Sequence, residues 1–197
     1  MSKLLIICPA FNEGEKLPTL IEEFKSTSHF KNLLVINSGS SDNTKNILKK
    51  NNIKSIDLPV NKGVGFALIS GIKYAIEKNY DICCVIAGNG KMDPKEIDKI
   101  VHKVKNEDYD FVQGSRYLDK ESTFLPTFRR IMIPIVTKLY ATIFKKNFTD
   151  ATCGFRAFKV ELIKNATFNL NSKLLYTYAF EPYFFSNVML DDNIKKT

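Results

Sequence analysis

Five short stretches of this 197-residue chain combine residue types suited to holding an anionic ligand: PAFNEGE (9–15), NSGSSDNT (37–44), NKGVG (61–65), AGNGKMDP (87–94) and QGSRY (113–117). Glycine lets backbone approach a ligand closely, and Asn, Ser and Thr both donate and accept hydrogen bonds. Lys62, Lys91 and Arg116 add positive charge. Each stretch alone also reads as a turn, because turns use the same residues for backbone reasons. Five in order, each after an apolar run, point instead to a site built from loops. The basic residues divide unevenly. Twenty-five Lys run from Lys3 to Lys196, whereas the four Arg (116, 129, 130 and 156) share one stretch. Lys supplies a point charge, while Arg supplies a planar fork that matches phosphate or carboxylate. The formal net charge of +8 suggests an anionic partner: a nucleotide, a nucleic acid or an acidic membrane surface.

The elements that would position these loops alternate. LLIICPA (4–10), NLLVI (32–36), IKSIDL (53–58), DICCVIA (81–87) and DFVQGS (110–115) read as strands. Between them, helical spacing of apolar residues predicts helices over 14–25, from Ser40 or Ser41 to about Lys50, over 64–78, and from Pro94 through Val104. That order predicts an α/β fold, a mainly parallel central sheet with helices on both faces, formed by one domain over 1–197. In such sheets ligands bind beyond the carboxyl ends of the strands, which is where all five loops fall.

Other classes are disfavoured. The four Cys form no Cys-x-x-Cys pair and there are two His, which argues against a zinc site. Cys8, Cys83 and Cys84 read as core thiols of a reducing compartment. Met1-Ser2-Lys3 leads straight into an apolar run without a leader pattern, and no apolar run approaches the ~18–20 residues of a membrane span. A cytoplasmic protein, peripheral on the inner face of the membrane, is expected. The segment RRIMIPIVTKLYATIFKK (129–146) is apolar between basic ends, with Pro134 and Lys138 interrupting it. It reads either as a core-packing helix or as one lying in a lipid interface. A further helix is expected over 179–190. No helix-turn-helix, zinc or aromatic-sheet motif accompanies the basic residues, so nucleic acid is not an expected partner.

The ordered motifs resemble the inverting family 2 glycosyltransferases of GT-A fold, in particular the dolichyl-phosphate mannose synthase and bacterial polyprenyl-phosphate glycosyltransferase branch. PAFNEGEKL (9–17), GSSDNT (39–44), NKGVGFALISGIKYA (61–75), Asp93-Pro94, GSRY (114–117) and DATCGFRAFK (150–159) carry the resemblance. It implies a nucleotide-binding half (1–115) and an acceptor-side half (116–197) with a short carboxyl end. Pro9, Ala10, Asn12, Glu13, Asn37, Ser38, Lys62, Gly63, Asn89 and Gly90 would line the nucleotide pocket. Lys91, Asp93, Arg116, Arg129 and Asp150 would serve the chemistry, and Arg116, Arg129, Arg130 and Arg156 the acceptor. The implied partners are a nucleotide-sugar donor, a lipid-phosphate acceptor and a membrane surface.

Two positions depart from the family pattern. An acidic pair usually precedes the Gly-Ser-Ser run, where this chain has Asn37 and Ser38, an exchange that suggests an altered base preference toward cytidine. The acidic-x-acidic motif that holds Mg²⁺ or Mn²⁺ is here Ala87-Gly88-Asn89, leaving Asn89 and Asp93 as weak metal candidates and Lys91 as a substitute charge. The alternative reading is a nucleotide-binding pseudoenzyme or scaffold in a glycan assembly complex.

Overall fold

A computed structural model describes residues 2–118, 125–164 and 168–197. Six strands form one sheet: β1 (Leu4–Ala10), β2 (Leu33–Asn37), β3 (Ser55–Asp57), β4 (Ile82–Val85), β5 (Phe111–Gln113) and β6 (Arg156–Lys159), in the order β3-β2-β1-β4-β6-β5. Strands β3, β2, β1 and β4 pair in parallel, and β6 runs antiparallel to both β4 and β5. The helices are α1 (Leu17–Lys25), α2 (Thr44–Lys50), α3 (Val64–Glu77), α4 (Ile97–Asn106), α5 (Thr127–Phe144), α6 (Glu161–Lys164) and α7 (Phe180–Leu190).

Strand alternation assigns the two faces. Ile6, Cys8, Leu33, Val35 and Cys84 face Leu17, Leu20, Phe24, Leu48, Ile97 and Val101 of α1, α2 and α4. Leu5, Ile7, Leu34, Ile36 and Cys83 face Leu68, Ile72, Phe180, Phe184 and Val188 of α3 and α7. Successive side chains on a strand point to opposite faces, so a continuous apolar run is what burial on both sides demands. All four cysteines are buried and unpaired. Burial pushes the Cys8 thiol up to about 12, so it packs as a small apolar group.

The anticipated strand–helix alternation is present through β5. The helix expected from Pro94 opens with a 3₁₀ turn over Pro94–Glu96 before α4, because Pro94 suits a first turn and Asp93 caps it, accepting from Lys95 N–H at 2.9 Å. Strand β6 was not foreseen. It comes from the second half of the chain yet lies between β4 and β5, so the two halves share one sheet.

Candidate active site at the carboxyl edge of the sheet

The loops after β1 and β2 are stitched together. Asn12 takes a left-handed backbone (φ 53°), which Asn tolerates better than most residues. Its N–H donates to Ser40 Oγ at 3.0 Å, and its Oδ1 accepts from Ser41 N–H at 2.9 Å. Glu13 N–H donates to Thr44 Oγ1 at 3.0 Å, and Gly14 N–H donates to Asp42 Oδ2 at 2.8 Å. Burial alone would raise the Asp42 carboxyl. The donors around it, Thr44 and Gly14, outweigh that and hold it below the usual range. Ser38 N–H reaches Ala10 C=O at 2.9 Å, and the half-buried Pro9 lies at the same edge. The Glu13 carboxylate pairs with Lys16 at 3.2 Å.

Asn37 is buried, and its amide is committed. Its Nδ2 donates to Asp57 Oδ1 at 2.7 Å and its Oδ1 accepts from Ser40 N–H at 3.2 Å. The cross-strand register pairs Asn37 with Asp57. The Asp57 carboxylate also meets Lys45 at 3.1 Å. Burial would raise it, but the Asn37 and Lys45 hydrogen bonds prevail and hold it low. Asn37 is therefore a strut between β2 and β3. The carboxylate at this corner comes from Asp57, on the neighbouring strand.

The third loop is clamped by the carboxyl-terminal segment. Gly63 adopts φ +102° beneath the Tyr176 carbonyl, and a side chain at Gly65 would run into the Leu175 and Thr177 carbonyls. Phe66 packs on Tyr176 with ring centroids 4.6 Å apart. The Lys62 ammonium lies 5.0 Å from the Phe66 ring and has no carboxylate partner among the described residues.

The fourth loop bears on the metal question. Gly88 N–H donates to Pro9 C=O at 3.1 Å, and a Cβ there would approach that same oxygen to 2.9 Å, so the loop rides directly on β1. Asn89 Oδ1 accepts from Lys91 N–H at 3.2 Å, and Gly90 turns with φ +67°. Ala87 and Gly88 offer no side-chain oxygen, and Asp93 caps the following turn. No group of three or more His, Cys, Asp or Glu able to hold a metal exists among the described residues. Hard divalent cations need several oxygen ligands with carboxylates among them, and this donor set does not fit Mg²⁺ or Mn²⁺. The Lys91 side chain is exposed and forms no ion pair among the described residues.

On the far side of the edge, Arg116 and Asp150 form a two-pronged ion pair, Nε–Oδ2 at 2.6 Å and Nη2–Oδ1 at 2.9 Å. The Asp150 side chain is fully buried, and it also accepts from Thr152 N–H at 3.0 Å. Burial opposes charge on both partners, but the paired hydrogen bonds outweigh it. Asp150 is held low and Arg116 high. Every Asp150 oxygen is thus engaged, and its role is to orient Arg116, whose Nη2 reaches Thr152 Oγ1 at 2.6 Å. Arg156, on β6, is buried and pairs with Glu181 of α7 under the Phe184 ring. Burial draws its guanidinium down to about 10, still charged at neutral pH. A cavity of about 110 Å³ opens beside it between α5 and α7, lined by Gln113, Tyr140, Thr152 and Glu181 among others. A roomier cavity of about 380 Å³ lies at the opposite edge, among Ser2, Asp81, Asp108 and Lys159, away from every loop described above.

Arg129 and Arg130 are exposed near the start of α5. That helix passes unbroken through Pro134, which sits on its outer side. Its inner face sets Ile133, Thr137, Tyr140 and Phe144 toward the core. Phe128, Ile131, Ile135, Leu139 and Ile143 form an outer stripe, each 55% to 73% exposed. Thr137 Oγ1 accepts from Ala151 N–H at 3.1 Å, fastening the helix to the turn that carries Asp150. No helix among the described residues is long and apolar enough to cross a membrane.

Sequence reading missed Asp57, Thr137, Thr152 and Glu181. Asp57 ends a foreseen strand, so its register with Asn37 was the available signal. Thr152 falls within the DATCGFRAFK stretch (150–159), whereas Thr137 and Glu181 have no local pattern that marks them.

The loops, the strand order and the paired arginines define a sugar-nucleotide transferase architecture, and comparison with known proteins agrees. Residues 5–166 match the family described as Glycosyl transferase family 2, and the chain belongs to that family. It is 33% identical over 174 residues to an uncharacterised protein of Methanocaldococcus jannaschii, covering 86% of this chain and 70% of that one. It is 27% identical to the UDP-N-acetylglucosamine–dolichyl-phosphate N-acetylglucosaminyltransferase of Methanococcus voltae, covering 86% and 74%. Among solved structures it resembles glucosyl-3-phosphoglycerate synthase of Mycobacterium tuberculosis, crystallised with Mn²⁺, UDP-glucose and phosphoglyceric acid, at TM-score 0.63 and 20% identity. The match covers 82% of this chain and 58% of that one, and it establishes the GT-A fold.

Proposed function

We propose that this glycosyltransferase moves a sugar from a nucleoside diphosphate-sugar to a polyprenyl phosphate at a membrane surface, with inversion at the anomeric carbon. The observation that carries the reading is the outer face of α5. Five large apolar side chains lie exposed on it. Basic residues Arg129, Arg130, Lys138 and Lys145 accompany them, and no acidic residue occurs between Thr127 and Thr149. An apolar stripe edged by cations fits the interface of an anionic bilayer. Through Thr137 the same helix is fastened to the Arg116–Asp150 turn, so a lipid held on α5 presents its phosphate beside the cleft. Relatives named as polyprenyl-phosphate sugar transferases, including the undecaprenyl-phosphate mannosyltransferase of Micrococcus luteus, support this acceptor class.

The chemistry asks little of a base. An acceptor phosphate oxygen is already anionic near neutral pH. It attacks the anomeric carbon as the bond to the nucleoside diphosphate breaks, and the diphosphate leaves with the electron pair. The protein supplies alignment and charge. Arg129 and Arg130 gather the acceptor phosphate, and Arg116, aimed by Asp150, borders its path. Asn12, Glu13 and Ser38, with Asn37 and Asp57 behind them, shape the nucleoside end, and Lys62 and Gly63 adjoin it. Asp93 serves as the cap of its turn, and Arg156 braces β6 against α7.

The test is incubation of the protein and membranes with labelled UDP-, GDP- and CDP-sugars, followed by solvent extraction. Label in the lipid fraction with one donor is the expected result and also fixes the base. Binding of a nucleotide without any transfer, to lipid or to water, would favour the second reading, a nucleotide-binding scaffold, for which the Ala87-Gly88-Asn89 substitution speaks.

A further inference from the structure

The mismatch between the fourth loop and a divalent cation has a chemical corollary. We infer that Lys91 takes the place of the metal ion, its ammonium neutralising the diphosphate of the donor so that the transferase works without Mg²⁺ or Mn²⁺. The inference rests on the nucleotide-sugar reading of the site.

Three observations carry it. First, no metal-ligand cluster exists among the described residues, and the carboxylates of Asp42, Asp57 and Asp150 at this edge are already engaged. Asp42 holds two backbone amides, Asp57 holds Asn37 and Lys45, and Asp150 holds Arg116. Second, the loop is fixed at the carboxyl edge of the sheet: Gly88 hydrogen-bonds to Pro9 near the end of β1, and the Asn89 side chain closes on Lys91 N–H. The space beside Gly90 is open, with no heavy atom within 4 Å of where its Cβ would be. Third, the Lys91 ammonium has no acidic partner among the described residues, whereas Lys16, Lys45 and Arg116 at the same edge are each neutralised. An unpaired cation beside an open, glycine-lined turn is a ready receptor for phosphate oxygens. In the transfer step, the bond from the anomeric carbon to the diphosphate oxygen breaks and the electron pair stays on that oxygen. Lys91 keeps its proton and balances the growing charge, which is what a bound cation would otherwise do. A flexible ammonium suits this task because it follows the phosphate as it departs.

The experiment is titration calorimetry of the full chain with UDP, GDP and CDP in EDTA and in millimolar Mn²⁺, paired with transfer assays in the same buffers. The tightest nucleotide is expected to bind equally in both buffers. Lys91→Met should weaken it by about tenfold or more, as loss of a charged hydrogen bond does, while Lys91→Arg stays within about threefold. Melting curves should be unchanged, because the side chain is exposed. The inference is overturned if EDTA weakens wild-type binding by about tenfold, or if Lys91→Met binds as the wild type does. Absence of binding by all three nucleotides overturns the nucleotide-sugar reading itself, a result distinct from metal-dependent binding.

Discussion

Asp150 lies 34 residues from Arg116 in sequence, yet its two oxygens are matched to the Arg116 fork. Removing one partner of such a pair leaves a buried charge without compensation. Arg116→Ala is therefore expected to destabilise the fold by about 3 kcal/mol, measured by urea unfolding, and Arg116→Lys by less, because it keeps the charge but loses the fork. The pH dependence has a definite sign. Asp150 is held below its ordinary value when folded, so its contribution is complete above the unfolded value of about 3.9 and fades as pH falls through the depressed one. Unfolding midpoints of wild type should drop below about pH 4, and Arg116→Ala should flatten that fall. At this scale the sequence marked both residues but not their partnership. The family resemblance assigned both to the chemistry, and only the fold shows that each occupies the other. The same holds for Asn37, whose exchange from a carboxylate suggested base reading. Its buried amide is bound to Asp57, which lies directly across the sheet.

Apolar runs and helical spacing marked β1 to β5 and α1 to α4 because both faces of the sheet are covered. Strand β6 escaped notice for the opposite reason. Arg-Ala-Phe-Lys has charged ends, and its extended form is imposed by β4 and β5 on either side. Helix α5 was legible as a segment but not as to its face: periodicity allowed core or interface, and the packing buries one side and leaves the other exposed. Replacing Ile135 and Leu139 by Glu should leave the melting temperature near that of wild type, since both side chains are exposed. The same change should abolish sedimentation with vesicles of anionic lipid. Retained sedimentation would remove α5 from the membrane contact. The clamp on α3 makes a contrasting case. Gly65→Ala drives a methyl group into two main-chain carbonyls that cannot rotate away, so a loss of about 3 kcal/mol in unfolding free energy is expected.

The surplus charge of the whole molecule takes a direction from the fold. Among the described residues of the cleft loops, Lys16, Lys45 and Arg116 are paired with carboxylates, while Lys62 and Lys91 are not. Along α5 the charge is left open. Vesicle binding should accordingly weaken as salt rises from about 50 to 500 mM, while the apolar stripe retains a salt-resistant remainder. A purely electrostatic contact would vanish altogether under those conditions.

The placement of β6 also sets an order of assembly. Strand β5 ends at Gln113, but it reaches the rest of the sheet only through β6, which begins at Arg156. During synthesis, β1 to β4 can pair as they emerge, while β5 must wait, its edge unpaired, for some forty residues more. Closing that gap is a long-range event, the kind that slows folding and exposes sticky intermediates. A chain cut at residue 115 would carry the loops after β1 to β4 and still strand β5. The two parts of the chain are therefore not separable in the tube: the residues after 115 deliver the strand that joins β5 to the rest of the sheet.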